Sequence, residues 1–134
     1  MDPAAVFART PCNRFLGIEL VDASRERVEL SLPVRDEFLQ EEGVVQGGIL
    51  TALADMAAVY LLWPYLPADR AMTGTGCAMQ FLAGASVADG PLRAVATPLR
   101  VGSTVAVCES ELFQGGRRVA KGTFTFLLRE RRPR

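Results

Sequence analysis

The 134-residue chain contains no histidine. That absence removes the commonest general base and the commonest metal ligand together, so Ser-His-Asp and Cys-His hydrolysis are excluded. Cysteine is sparse: Cys12, Cys77 and Cys108 are odd in number and widely spaced, which fits reduced thiols and neither a disulfide framework nor a CxxC metal site. No metal and no cofactor are therefore expected. Net charge is also missing, fifteen basic residues balancing fifteen acidic ones. A neutral domain without interleaved basic and aromatic residues argues against nucleic acid as a partner. The amino end, from Met1 to Arg9, lacks a basic start followed by an apolar run, so no signal peptide is expected and the location expected is cytoplasmic.

What the chain does have is apolar material, 49% of its residues, enough for one core and one domain spanning 1–134. Its organising stretch runs from Gln46-Gly47-Gly48-Ile49-Leu50 to Trp63 and stops at Pro64. It reads as one long helix, apolar on nearly every face and hence buried all round. Residues 47–63 are too short for a comfortable membrane span and carry Asp55, so a core helix is expected and no membrane. Two glycines open the helix where Ser, Thr or Asp would be the usual cap, leaving bare N–H groups that suit an oxyanion or another anion. Asp55 is the one charge in the helix, and an ionised carboxylate in such company is costly unless paired, which makes it a functional candidate. Asp55 lies eight residues past Gly47, roughly 12 Å along the axis. The carboxylate and the bare N–H groups can meet on one substrate atom only if they come from two copies of the helix, antiparallel across a two-fold axis. The motif itself therefore argues for a dimer, and the assembly expected is a homodimer or a dimer of dimers.

Around this helix the remaining elements are short. Asp2-Pro3 reads as a cap and first helical position of a helix closed by Pro11. Ile18 to Ala23 and Arg27 to Leu32 alternate as a hairpin, and Pro33 to Glu42 reads as a loop with one helical turn. Met72 to Leu82, Pro91 to Val101, Thr104 to Phe113 and Arg118 to Leu128 read as four strands in an antiparallel meander. Gly115-Gly116 is a two-residue hairpin turn, and Pro98 belongs at an edge or bulge. Gly74-Thr75-Gly76 is too little for a dinucleotide fingerprint and is expected to let its strand pass close to the central helix. Ser86 has no base to activate it. A helix apolar on all sides needs a sheet that curls around it, giving an α+β fold. Charge is uneven along the chain: residues 93–134 carry nine basic and three acidic residues, residues 1–92 six and twelve. The basic third could meet phosphates.

Element order and helix motif together resemble the hot-dog fold, a curled antiparallel sheet wrapped around one long helix, and within it acyl-CoA thioesterases similar to phenylacetyl-CoA and 4-hydroxybenzoyl-CoA thioesterases. The likeness runs from Phe15-Leu16-Gly17 to Phe126. It is strongest in Gly43-Val44-Val45-Gln46-Gly47-Gly48 and Leu53-Ala54-Asp55-Met56-Ala57, which match a family pattern G-x-x-H-G-G followed by L-x-D. Thr73, Phe81-Leu82-Ala83-Gly84-Ala85 and Gly102 add to it. The resemblance implies that Asp55 is the catalytic carboxylate, nucleophile or general base, and that the Gly47 N–H polarises the thioester carbonyl. It also implies that Gln40 helps place substrate or water and that Gly48 and Thr73 border the substrate. In such enzymes the CoA nucleotide often lies along the late strands, where Arg100 and Arg117 adjoin predicted reversals. Gln46 stands where the commonest motif has histidine; it can donate a hydrogen bond but carries no charge. That counts against hot-dog dehydratases and hydratases and favours hydrolysis of an acyl-CoA. The alternative is a catalytically silent hot-dog domain that binds acyl-CoA or serves as an assembly partner.

Overall fold

In the computed structural model, which describes residues 2–133, the Asp2 carboxylate accepts from the Ala4 N–H and Pro3 opens helix α1, Pro3–Arg9. Pro11 was expected to close this segment; it opens a second helix instead, α2, Pro11–Leu16, because a proline without an N–H fits a first helical turn as well as it ends a previous one. The two helices are tied to the central one by a buried polar chain. Asn13 Nδ2 donates to the Phe7 carbonyl (3.2 Å) and the Tyr60 hydroxyl (2.8 Å), and Tyr60 donates to Thr10 Oγ1 (3.1 Å). The Phe7 and Tyr60 rings meet edge to face at 5.1 Å.

Six strands form one antiparallel sheet in the order β1-β2-β4-β5-β6-β3, with β1 at Glu19–Ala23, β2 at Val28–Leu32, β3 at Arg70–Phe81, β4 at Leu92–Val101, β5 at Val105–Gln114 and β6 at Arg117–Glu130. The expected β1–β2 hairpin is present. The expected four-strand meander is not: only β4-β5-β6 follow one another, while β2 pairs with β4 and β3 pairs with β6 at the far edge. The connection from Leu82 to Pro91 is long enough to carry the chain across the sheet, and local strand patterns are blind to such a crossing. Gly115 and Gly116 make the β5–β6 turn with φ of 58° and 78°, the left-handed pair that a two-residue hairpin requires. Pro98 sits at a register shift between β4 and β5, beyond the last β4 residue paired with β2, the bulge position expected of a strand proline.

The central helix α3, Gly47–Leu62, lies in the concave face of the sheet. By length and composition Gly47–Tyr65 could cross a membrane, but its residues pack on strands. Leu53, Leu61 and Leu112 are fully buried there, each contributing about 1.5–3 kcal/mol relative to exposure. Ser110 Oγ donates to the Ala54 carbonyl (2.8 Å), fixing the helix against β5. The expectation of burial all round needs correction. Gly48 is exposed, and Ala52, Asp55, Met56, Val59 and Trp63 are only half-buried. They follow one another at helical spacing, one stripe that the chain's own sheet does not reach. The neighbouring edge strand β3 is likewise mostly exposed.

Candidate functional site

Asp55 projects from the middle of α3 into a cleft of about 600 Å³ walled by Val59, Trp63, Met72, Gly74, Thr75, Gly76, Cys77, Phe124, Thr125 and Phe126. No hydrogen bond or ion pair reaches its carboxylate among the described residues. Burial alone therefore acts on it, pushing its pKa above the ordinary value. Cys108, fully buried on β5, is influenced by the same cleft: burial first, then the Asp55 charge, push its thiol up to about 12. The glycines of β3 were expected to bring that strand close to the helix. They do not: a Cβ at Gly74 would touch only the Phe126 ring, at 3.6 Å, and one at Gly76 would meet nothing within 4 Å. The cleft occupies the space between β3 and α3 instead.

The start of α3 lines a second cleft, of about 450 Å³, with Gln40, Val44, Val45, Gln46, Gly47, Leu50 and residues Phe81 to Gly84. Gln46 occupies the cap position but its side chain makes no capping bond. The Gln46 carbonyl accepts from Ile49 N–H (2.9 Å) and Leu50 N–H (3.3 Å), while the Gly47 and Gly48 N–H groups have no partner among the described residues. These are the orphan donors that a helix start leaves for an anion. The ring of exposed Phe81 lies against Gly47, 3.2 Å from where a Cβ would stand. Gln40 Oε1 accepts from the Glu42 N–H, so half of its amide is spent on its own turn.

Of the residues singled out in the sequence, Gln40, Gln46 and Gly47 thus line one cleft, Gly48 beside them is exposed on the uncovered stripe, and Asp55 stands apart in the other cleft of the same chain. Thr73 points to the outer face of the sheet, where its Oγ1 accepts from Arg129 Nε (2.7 Å), while its neighbours Met72 and Gly74 line the Asp55 cleft. Arg117 donates to the Gly84 carbonyl (2.7 Å), at the rim of the Gly47 cleft. Arg100 borders a separate depression with Ser103, Thr104, Val105 and Val107. Their partners on β5, Val107 and Gln114, are about seven residues and roughly 23 Å apart, so the two arginines of one chain do not share a ligand. Tyr60 is core, closed in by Asn13 and Phe7, and Trp63 reaches the cleft. The sequence gives Gly74, Cys77, Phe124 and Phe126 no place at a site. The only signal was the pair of glycines inside a strand pattern, together with the alternation of Phe124, Phe126 and Leu128 on one face.

Against known proteins, the thioesterase superfamily model matches residues 42–121, a span holding both clefts' helix residues. A Deinococcus radiodurans protein named as a candidate esterase is 34% identical over 100 residues, which make up 75% of this chain and 65% of that protein; the chain therefore spans just under two thirds of this curated relative. Among solved structures, AziG of S. sahachiroi is 28% identical with a TM-score of 0.86, over 91% of this chain and 98% of that one. A thioesterase family protein from Silicibacter pomeroyi (24% identical, TM-score 0.88, 96% of each chain) shares the fold. So does the PaaI protein from the E. coli phenylacetic acid degradation operon (22% identical, TM-score 0.84, 92% of this chain and 88% of that one).

Proposed function

The chain belongs to the thioesterase superfamily, and from that premise we propose that it hydrolyses an acyl-CoA thioester to the free acid and CoA as a homodimer. One observation carries the proposal: a half-buried carboxylate without a partner faces a cleft, while the unpaired N–H groups able to hold an oxyanion lie roughly 12 Å away along the same helix. Two copies with their helices antiparallel bring the partner subunit's Gly47 opposite Asp55. The uncovered stripe from Gly48 to Trp63 and the open edge of β3 support such a pairing, since both are apolar or unsatisfied surfaces in the single chain.

In that arrangement the thioester carbonyl oxygen accepts from the partner subunit's Gly47 N–H, which stabilises the negative charge that develops on attack. Asp55 either attacks the carbonyl carbon, expelling the CoA thiolate and forming a mixed anhydride that water then hydrolyses to the free acid and the Asp55 carboxylate, or takes a proton from the water that attacks the carbonyl carbon, after which the tetrahedral intermediate expels the thiolate. The raised pKa of Asp55 suits either role, because a more basic carboxylate is the better nucleophile and the better proton acceptor. The PaaI likeness in fold and the candidate esterase relative are consistent with thioester or ester hydrolysis. Arg117, on the rim of the Gly47 cleft, and Arg100 are the cations proposed for the nucleotide phosphates. A location in the cytoplasm suits a CoA ester as substrate.

Purified protein incubated with aliphatic and aromatic acyl-CoAs, with free thiol followed in time, tests the proposal. Release of thiol by a dimeric species supports it. Gln46 in place of histidine favours a second reading, a silent domain that binds acyl-CoA; calorimetric binding without thiol release across the panel would select that reading.

A further inference from the structure

Gly74 flanks a register shift of β3 against β6, between Gly74 and Gly76, but its own conformation does not require glycine. Its φ is not among the positive ones, which belong to Gly17, Gly43, Gly90, Gly115 and Gly116. A Cβ there would meet the Phe126 ring at ordinary van der Waals distances of 3.6 and 3.8 Å and no backbone at all. Glycine inside a strand weakens it, through chain entropy and the loss of a side chain to pack. The packing of the chain itself therefore accepts a larger residue that would strengthen β3.

Position 74 is opposite Phe126, on the inner face of the sheet, and both line the Asp55 cleft. Across the cleft stand Asp55, Val59 and Trp63, and beside it Met72 and Phe124. The vacant position thus lies against the Phe126 ring, in the same cleft as the carboxylate. Such walls favour a flat or broad apolar group over a thin chain, because they contact it on both faces.

We propose that Gly74 is a specificity-determining position, its missing side chain holding the cleft open for a ring-bearing or branched acyl group. The inference rests on the reading of this cleft as the acyl site. Alanine at 74 removes about one methyl of space, and leucine removes several. A methylene in an apolar pocket changes discrimination by about 10- to 200-fold. Straight two- to four-carbon acyl groups, which do not fill the cleft, keep their rate.

The experiment compares wild type, Gly74→Ala and Gly74→Leu by two readouts. In the first, kcat/KM for benzoyl-CoA or phenylacetyl-CoA falls by at least about 10-fold in Gly74→Ala, while that for acetyl-CoA or butyryl-CoA stays within about 3-fold. In the second, the fluorescence of Trp63, the sole tryptophan, is titrated with benzoate and phenylacetate. Wild type responds, Gly74→Ala needs a higher concentration, and Gly74→Leu responds least. Gly74→Ala adds a contact without strain, so its melting temperature serves as the control for folding. Equal titrations in wild type and Gly74→Ala, or no response in wild type, overturn the inference even if hydrolysis is found. Titrations graded by residue 74 in a protein that releases no thiol uphold it and overturn hydrolysis alone.

Discussion

Replacing Asp55 by asparagine keeps the size of the side chain and removes its charge. No ion pair or hydrogen bond is lost, since the carboxylate has none among the described residues. The fold is therefore expected to persist, and with it the dimer. If Asp55 is the attacking or proton-accepting group, kcat falls by about 10²- to 10⁴-fold, or about 2.7–5.4 kcal/mol of barrier at 1.36 kcal/mol per decade. Stability moves the other way. Burial raises the Asp55 pKa, so the folded state binds that proton more tightly than the unfolded state does. The resulting stabilisation of wild type is fully present below the ordinary value of 3.8 and is lost as pH rises through the raised pKa. The asparagine side chain never charges. The Asp55→Asn variant is thus expected to melt slightly above wild type at neutral pH, by a margin that water screening keeps small, and the two to converge in acid. The assays are continuous thiol release from an acyl-CoA, light scattering for the dimer, and melting curves from pH 3 to 8. Turnover within about 10-fold of wild type would refute the role of Asp55. A variant that falls apart into monomers would refute the expectation that the dimer persists.

Other outcomes follow from single residues. Gly116→Ala places a Cβ on a left-handed residue (φ 78°) and is expected to cost about 1–2 kcal/mol in a urea titration, with activity per folded molecule unchanged. Arg117→Ala and Arg100→Ala are each expected to raise KM for acyl-CoA with kcat nearly constant if that residue holds the nucleotide, because the phosphates are bound alike in ground and transition states. An equal effect on an acyl-pantetheine, which has no nucleotide, would remove the residue from that role. Cys108, buried and with its thiol near 12, is expected to stay unmodified by a maleimide at pH 8 while exposed Cys12 reacts, as peptide mass analysis would show. Labelling of Cys108 at the same rate as Cys12 would contradict its burial.

Much of this arrangement is legible in the sequence. The helix from Gly47, the Gly115-Gly116 turn and the strands that alternate cleanly on β2, β5 and β6 are written locally, in residues whose neighbours in sequence decide their conformation. The place of β3 is not local. Its pairing with β6 depends on a crossing by residues 82–91, and nothing in those residues names the destination. The long helix read as buried all round because composition reports how apolar a surface is and not what covers it. Here the uncovered stripe, Asp55 apart, is made of apolar residues like the covered face. Asp55 and Gly47 stand out in the sequence because a charge in an apolar helix and glycines at its start are conspicuous. The cleft walls were missed since Phe124 and Phe126 look like any core residues, and the meaning of Gly74 depends on which side of the sheet is empty.

Gln114 gives the crossing segment an unusual mechanical status. Its amide, buried at the end of β5, donates to the carbonyls of Ser86 (2.6 Å) and Gly90 (2.8 Å) and accepts from the Ser86 N–H (3.0 Å). One side chain thus supplies the bonds that a neighbouring strand would otherwise provide to a segment in no helix or strand. In terms of hydrogen exchange, the Ser86 amide opens with the β5–β6 hairpin and not with the surface loops, so the two share one cooperative unit. Phe81 to Gly84, which wall the helix start, are spliced into this unit from both sides, with β3 before them and the Gln114 clamp after. That wall is expected to move with the sheet rather than as a tethered loop, which hydrogen exchange at the Ser86 amide would check.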